Sequence, residues 1–402
     1  MRSITESGVE RFHLIDLDRY RRNLSEFLAA MRAHYADVVL AYSYKTNYLR
    51  PVAQTADLEG CLAEVVSEVE YDMALAYGVQ PERIVLNGPV KSRELLLRAL
   101  AAGTRVNADS LAEIEVLLDL VKELERDKLH VGVRLNFSLN GSPRSHFGVD
   151  PTAHGVADRI RQLAQLVGCD RFGVHVHFST SHRSVASFRE RTEQIIAWTH
   201  ELLPDMRPAT LDIGGGFFGP MSESMRRSFG TDVPNYVQYA EAVAGTMAKA
   251  YPDGGPSLIF EPGASVVANV MYFCCKVLHV KDIDGRQIIQ LNGSIQNIQP
   301  TGRSRFRLPF ERIAMSAAPS RWCKGDLVGY TCMESDVMSE DVEGEFAPGD
   351  LLVWGNVGAY GVVFKPPFID TAPPVFTMDG KGEFRLARRA ESLDDLLRTD
   401  VS

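Results

Sequence analysis

Through the first two thirds of the chain, short apolar runs alternate with stretches whose apolar residues recur every three or four positions. The first run predicts a strand over Phe12–Asp16. Leu17, Tyr20, Leu24, Phe27, Leu28 and Met31 then mark one face of a helix that reaches Arg32. The β-branched run Val38-Val39-Leu40 continues through Ala41-Tyr42-Ser43-Tyr44 into Lys45 and predicts a buried strand. Helices are expected near 51–57, 70–77, 92–101, 111–124, 155–167, 184–203 and 233–250. Strands fall between them near 63–66, 84–86, 105–107, 130–136, 172–178, 210–213 and 258–261. About eight rounds of strand and helix predict a parallel sheet closed into a (β/α)8 barrel.

From about residue 265 the texture changes. Val266–Val280 is apolar and rich in β-forming residues. Ile288–Leu291, Trp322–Tyr330, Leu351–Trp354 and Val375–Met378 follow, separated by Gly, Pro and Asp turns. This pattern predicts a C-terminal antiparallel β domain. The expected division is a barrel over 14–264 and a β-barrel or β-sandwich made of 1–13 with 265–402. The tail from Phe384 predicts a strand and then a short helix capped by Ser392.

Composition narrows the class. The 402 residues exceed one ordinary core, and 45% hydrophobic with 24% charged residues is a globular balance. A net charge of −9 argues against a nucleic-acid partner. No apolar stretch is long enough to span a bilayer, and Met1–Glu6 lacks the apolar core of a secretion signal. The six cysteines form no C-x-x-C pair, so a reduced cytoplasmic protein is expected.

Lys45 stands at the C-terminal end of its strand, the catalytic face of such a barrel. Burial there would disfavour the ammonium and leave a nucleophilic amine suited to an imine; a plain exposed lysine is the competing reading. Gly214-Gly215-Gly216 follows a strand directly, so backbone N–H groups can converge on a phosphate, or the glycines serve only a tight turn. Glu261 ends another strand; such a carboxylate needs a proton or a cation, met by a pyridinium nitrogen or by a barrel arginine such as Arg134. His175 and His177 share one face of a strand, but a metal would lack a third ligand at sensible spacing. No metal is expected, and His177 suits stacking on a flat cofactor. Cys332 lies in a polar loop, as a proton donor or a structural thiol. Tyr360, between glycines, offers a phenol to a phosphate or is a turn aromatic.

In this order the motifs resemble the fold type III pyridoxal-phosphate decarboxylases, which include the diaminopimelate, ornithine and arginine decarboxylases. The resemblance runs from Phe12 to Leu397 and is nearest the bacterial diaminopimelate branch. It implies an alanine-racemase-like barrel and pyridoxal 5'-phosphate as cofactor. By the same resemblance, Lys45 would hold the cofactor as an imine. Glu64 belongs to a segment around Val66-Ser67-Glu68 that matches the family's Val-Ser-x-x-Glu. Arg134 would lie near the phenolic oxygen, His177 on the ring, and Thr180 near the phosphate. Gly214, Gly215, Gly216, Gly263 and Tyr360 would serve the cofactor, with Glu261 on its ring nitrogen. Cys332 would protonate Cα across a homodimer with shared active sites. Met333, Glu334 and Asp336 would face the substrate.

The departures from the family pattern bear on specificity. Ala264 stands where the family's Glu-Pro-Gly-Arg has its arginine. Met333 replaces the acid after the loop cysteine, and Tyr330 replaces a proline. The implied activity is α-decarboxylation of an amino acid. The altered loop points to a nonstandard or conjugated amino acid, as in siderophore or other specialised-metabolite synthesis. Alternatives are meso-diaminopimelate decarboxylation, an amino-acid racemase, and an inactive regulatory homologue.

Overall fold

The computed structural model describes residues 1–124, 129–140, 143–178, 183–301, 307–315, 319–364 and 367–401, without the side chain of Arg2. Its contacts divide the chain into two compact units. One comprises Arg21–Gly219 and Thr231–Val266; the other comprises Met1–Tyr20, Pro220–Gly230 and Val267–Ser402. The stretch Pro220–Gly230, expected within the barrel domain, thus groups with the β-rich unit.

The first strand, β1 (Phe12–Asp16), belongs to the β-rich unit. The other unit holds β2 (Val38–Ser43), β3 (Leu62–Val65), β4 (Ile84–Leu86), β5 (Arg105–Ala108), β6 (His130–Arg134), β7 (Phe172–His175), β8 (Thr210–Asp212) and β9 (Ser257–Phe260). These pair in parallel, each with the next, and β9 returns to β2, closing the barrel. Ala41, Val85 and Ile259 pack together inside it, with Val39 and Leu62 against them. Such strands, covered on both faces, read as continuous apolar runs, which is why the eight were visible in the sequence.

Three barrel strands end two or more residues earlier than their patterns suggest. β2 stops at Ser43, and Lys45 sits on the single 3-10 turn Tyr44–Thr46. β6 stops at Arg134. β7 stops at His175 because its neighbour β8 ends at Asp212; Val176 N–H takes the Asp212 carbonyl at 2.8 Å, and Val176-His177-Phe178 then leaves the ladder. The helix expected over 233–250 is two helices, Tyr236–Ala242 and Ala244–Ala250. They meet at Val243, which keeps its helical bonds to Tyr239 and Met247 but has φ −100° and ψ −66°, off the ideal helical values.

The β-rich unit adds β10 (Met271–Ile283), β11 (Arg286–Leu291), β12 (Phe310–Ile313), β13 (Arg321–Val328), β14 (Val337–Phe346), β15 (Leu351–Trp354), β16 (Val375–Met378) and β17 (Phe384–Arg388). The sheet runs β14-β13-β11-β10-β1-β16-β17, with β15 pairing β10 and β12. Most pairs are antiparallel, as expected. Two are parallel, β1 with β16 and β11 with β13, so the sheet is mixed. Each parallel pair joins strands separated by a long excursion, which a hairpin cannot supply. Phe12, Leu14, Cys274, Leu351 and Val353 form its core. β14 has no counterpart among the predicted strands. Its solvent face is Glu340, Asp341, Glu343 and Glu345, and Asp341 carries a left-handed φ of +49°. Charges and an irregularity of this kind are how edge strands discourage further pairing, and they hide the apolar alternation.

Candidate active site

The strand ends of the barrel carry a connected set of polar groups. Lys45 Nζ lies 2.6 Å from Oε2 and 2.9 Å from Oε1 of Glu64, at the end of β3. The expected desolvation of this amine is only partial: its side chain is 30% exposed and it already has a carboxylate partner. Ser43 Oγ donates to the same Glu64 carboxylate at 2.5 Å. Asn87, just past β4, donates from one amide to Glu64 Oε1 at 3.1 Å and to Glu261 Oε1 at 2.5 Å. Asn107 Nδ2 holds the Asn87 carbonyl at 2.8 Å. An asparagine thus bridges the carboxylate that holds the lysine and the carboxylate after β9.

Glu261 follows β9 and is buried. Its other oxygen faces His177 Nδ1 at 3.0 Å, and His175 Nε2 stands 3.5 Å from Oε1. The barrel arginine considered as its partner is elsewhere: Arg134 grips Asp109 at 2.8 Å and the His177 carbonyl at 2.8 Å. Burial opposes charge on Glu261, but the two histidines outweigh it and hold the carboxyl well below the usual range. Asp212, buried nearby on β8, goes the other way. Burial and then the charge of Glu261 raise it, against the N–H of Gly214. The two buried acids are therefore pushed apart, Asp212 toward its protonated form and Glu261 toward its anion.

His175, His177 and Glu261 place three ligand atoms within 4.8 Å of one another, so a third group does accompany the histidine pair. It comes from β9, too distant in sequence for the spacing to reveal. The donor set is better satisfied by a flat cation than by a metal. Glu261 already accepts from Asn87 and His177, and its charge faces the cavity beside Lys45. That cavity, about 480 Å³, is lined by Lys45, Glu64, Asn87, Arg134, His177 and Glu261 among others.

Burial pulls the His177 imidazole from 6.5 down to about 4, against the upward pull of Glu261. Between pH 6.5 and about 4 the unfolded chain takes up a proton on this residue that the folded chain refuses. Stability therefore falls as the pH drops through that window, and is untouched by His177 above it. Glu261 contributes lower, below 4.5. His177→Asn is expected to flatten the acid limb between those values in urea titrations of the cofactor-free protein. An unchanged slope there would contradict a buried neutral imidazole.

The three glycines after β8 are conformationally demanding. Gly214 and Gly216 have φ of +71° and +97°. A Cβ on Gly214 would meet Val176 O at 2.6 Å, and one on Gly215 would meet Glu261 O at 2.4 Å. Gly214 N–H is taken by Asp212, while Gly215 N lies 3.2 Å from His177 Nδ1, the nitrogen already committed to Glu261. Among the described residues, the N–H groups of Gly216 and Phe217 have no acceptor. That pair of free donors in a left-handed turn is a nest for an anion. Gly263 is close-packed too: its Cβ would strike Thr46 Oγ1 at 2.2 Å. A lysine amine, a buried anion, an imidazole at the wall and an anion nest together fit pyridoxal phosphate.

Thr180 falls outside the described residues. Cys332, Met333, Glu334 and Tyr360 belong to the β-rich unit and are exposed. Tyr360 has a left-handed φ of +61°, a strained setting for a non-glycine residue. Asp336 is buried. Its carboxylate accepts from Ser294 Oγ, Ile295 N–H, and both the N–H and hydroxyl of Thr331. It fastens the base of the loop whose tip is Cys332–Ser335. Asn87, Asn107 and Asp212 were not singled out in the sequence. The one available signal was a polar residue closing each short apolar run.

Residues 21–268 match the family described as pyridoxal-dependent decarboxylase, pyridoxal binding domain. Diaminopimelate decarboxylase of Methanocaldococcus jannaschii is 26% identical over 396 residues, 95% of this chain and 88% of that one. The Bacillus subtilis diaminopimelate decarboxylase is 26% identical over 405 residues, 97% and 91% of the two chains. The solved M. jannaschii structure superposes with a TM-score of 0.84 at 24% identity, covering 97% of this chain and 92% of that one. That of the Helicobacter pylori diaminopimelate decarboxylase complexed with L-lysine gives 0.80 at 20% identity, covering 99% and 98%. Among the described residues no helix is long and apolar enough to cross a membrane. The chain belongs to the pyridoxal-dependent decarboxylases, carboxy-lyases that act on amino acids with pyridoxal 5'-phosphate as cofactor.

Proposed function

We propose that the protein removes the α-carboxyl group of a nonstandard or conjugated amino acid, using Lys45 as the cofactor-holding amine and Glu261 as its buried counter-charge. The observation that carries the reading is the convergence of Lys45, Glu64, His177 and Glu261 on one cavity. When bound there, the cofactor supplies an electron sink for the pair left behind as CO2 departs. The chain's own residues do the rest. Glu64 holds and can accept a proton of Lys45 Nζ, at 2.6 Å. Glu261, anionic between Asn87 and His177, favours a proton on the ring nitrogen it would face. The amides of Gly216 and Phe217 would hold the phosphate, and Arg134, fixed by Asp109, would border the ring's oxygen side.

The exposed loop tip supports the choice of substrate. Met333, 47% exposed, presents a thioether where the family has an acid, which leaves a cationic distal end with one partner fewer. An amino acid whose distal group is neutral or conjugated, of the kind siderophore and other specialised-metabolite routes supply, suits that loop better. The curated relatives favour a second reading, meso-diaminopimelate. A panel of both substrate types, followed by CO2 release, separates them. The first reading expects the highest kcat/KM on a substrate other than meso-diaminopimelate; a clear preference for meso-diaminopimelate would replace it with the second.

Cys332, exposed on that loop, would deliver the proton to Cα, from the second copy in a homodimer with shared sites. Cys332→Ala is expected to slow correct amine formation on the order of 10²-fold. It should also raise the share of products formed by misplaced protonation. An unaltered rate of correct amine formation would remove Cys332 from the reaction.

A further inference from the structure

Arg191, on the helix Val185–Leu202, is completely buried. Among the described residues its guanidinium meets no carboxylate. Its partners are three backbone carbonyls: Nη1 donates to Ile213 O at 3.2 Å and Gly215 O at 3.1 Å, and Nη2 to Phe178 O at 3.0 Å. Its Nε is buried without an acceptor. It lies 4.2 Å from the centre of the Phe188 ring. Burial pulls the guanidinium down to about 9, so it is still charged at neutral pH. A buried cation with no carboxylate at ion-pair distance is costly, and the more distant charge of Glu261 offsets only part of that cost.

All three carbonyls belong to the segments that follow β7 and β8. In a trans peptide the C=O and N–H point in opposite directions. With the Gly215 carbonyl drawn to Arg191, the Gly216 N–H is turned away from the guanidinium. It is one of the two amides that find no acceptor in the protein. Arg191 therefore sets the orientation of the peptide that presents the nest, and places a positive charge behind it. Among the described residues, the segment after β9, the strand that pairs with β8, adds no cation where Ala264 follows Gly263.

We propose that Arg191 is a positioning residue for the phosphate group, acting through the Gly214–Gly216 loop and supplying the charge that Ala264 cannot. This rests on the cofactor reading above. The test compares pyridoxal 5'-phosphate with phosphate-free pyridoxal, by absorbance titration of the cofactor-free protein. The comparison is made in wild type, Arg191→Lys and Arg191→Met. In Arg191→Met, the phosphate-dependent advantage is expected to shrink at least tenfold while pyridoxal affinity stays within about twofold. Arg191→Lys keeps the charge and is expected to retain most of the advantage. Equal weakening for both ligands in either variant, or an advantage unchanged in Arg191→Met, would overturn the proposal. Should Arg191→Met not fold, the stabilisation of Arg191→Lys by inorganic phosphate in thermal unfolding decides: a rise in Tm comparable to wild type is expected, and loss of that rise contradicts a charge role. A wild-type protein that binds neither ligand would instead defeat the cofactor reading itself.

Discussion

Lys45→Ala is expected to lower decarboxylation on the order of 10⁴-fold, the scale on which losing a covalent catalytic group is felt. The same change should remove the visible absorbance of lysine-bound cofactor. It has a second consequence. Glu64 is 1% exposed on its side chain, and Lys45 is its only cation among the described residues. Its remaining donors are Ser43 and Asn87. Removing the amine strands a buried carboxylate, which should cost about 1–3 kcal/mol until Glu64 takes up a proton. The control is Lys45→Ala with Glu64→Gln, which restores stability while leaving the protein inactive. Lys45→Arg should keep the ion pair and stay equally inactive. Activity tracking stability across these variants, instead of tracking the amine, would sink the account of Lys45.

Glu261→Gln is expected to lower kcat on the order of 10²–10³-fold, comparable to deleting one electrostatic stabiliser in a buried site. Cofactor should still bind, since Lys45 and the amide nest are untouched. The reason lies in the division of charge. His175 and His177 hold Glu261 toward its anion, while burial and the charge of Glu261 push Asp212 toward its protonated form. An amide at 261 can no longer favour a proton on a ring nitrogen. Losing the anion also relieves the repulsion that raises Asp212, so that acid should titrate closer to its ordinary range. Both effects are checked together: steady-state kcat, and the carboxyl titration of Asp212 by infrared difference spectra between pH 4 and pH 8. Full activity in Glu261→Gln would place the ring's counter-charge on another residue.

What was legible in the sequence follows from how a barrel displays its chemistry. Lys45, His177, Glu261 and the three glycines each stand just after an apolar run, so strand ends could be read as site positions. Asn87 stands in the same place after Ile84-Val85-Leu86, yet one asparagine has no motif; its role exists only because β4 brings it between Glu64 and Glu261. Arg191 was hidden for a different reason. Its neighbours Arg189, Glu190 and Glu193 give that stretch the look of a solvated face, while the fold buries Arg191 against the carbonyls that follow β7 and β8. The motif that holds Asp336 does not display its bonds to Thr331, Ser294 and Ile295, the last two of which lie 42 and 41 positions away and must be folded against it. β14 was lost because its exposed acids mask the apolar alternation. The parallel pairs of the β-rich unit depend on which distant strands meet, which local patterning does not encode.

The most direct test of the central claim is to locate the cofactor covalently. The holoprotein is reduced with borohydride, digested, and its peptides mapped by mass spectrometry. The account predicts one pyridoxyl adduct, on Lys45, with Lys91 unmodified because its amine is fully buried against Glu113. An adduct on Lys91, or no adduct in protein that has been saturated with pyridoxal 5'-phosphate, would contradict it.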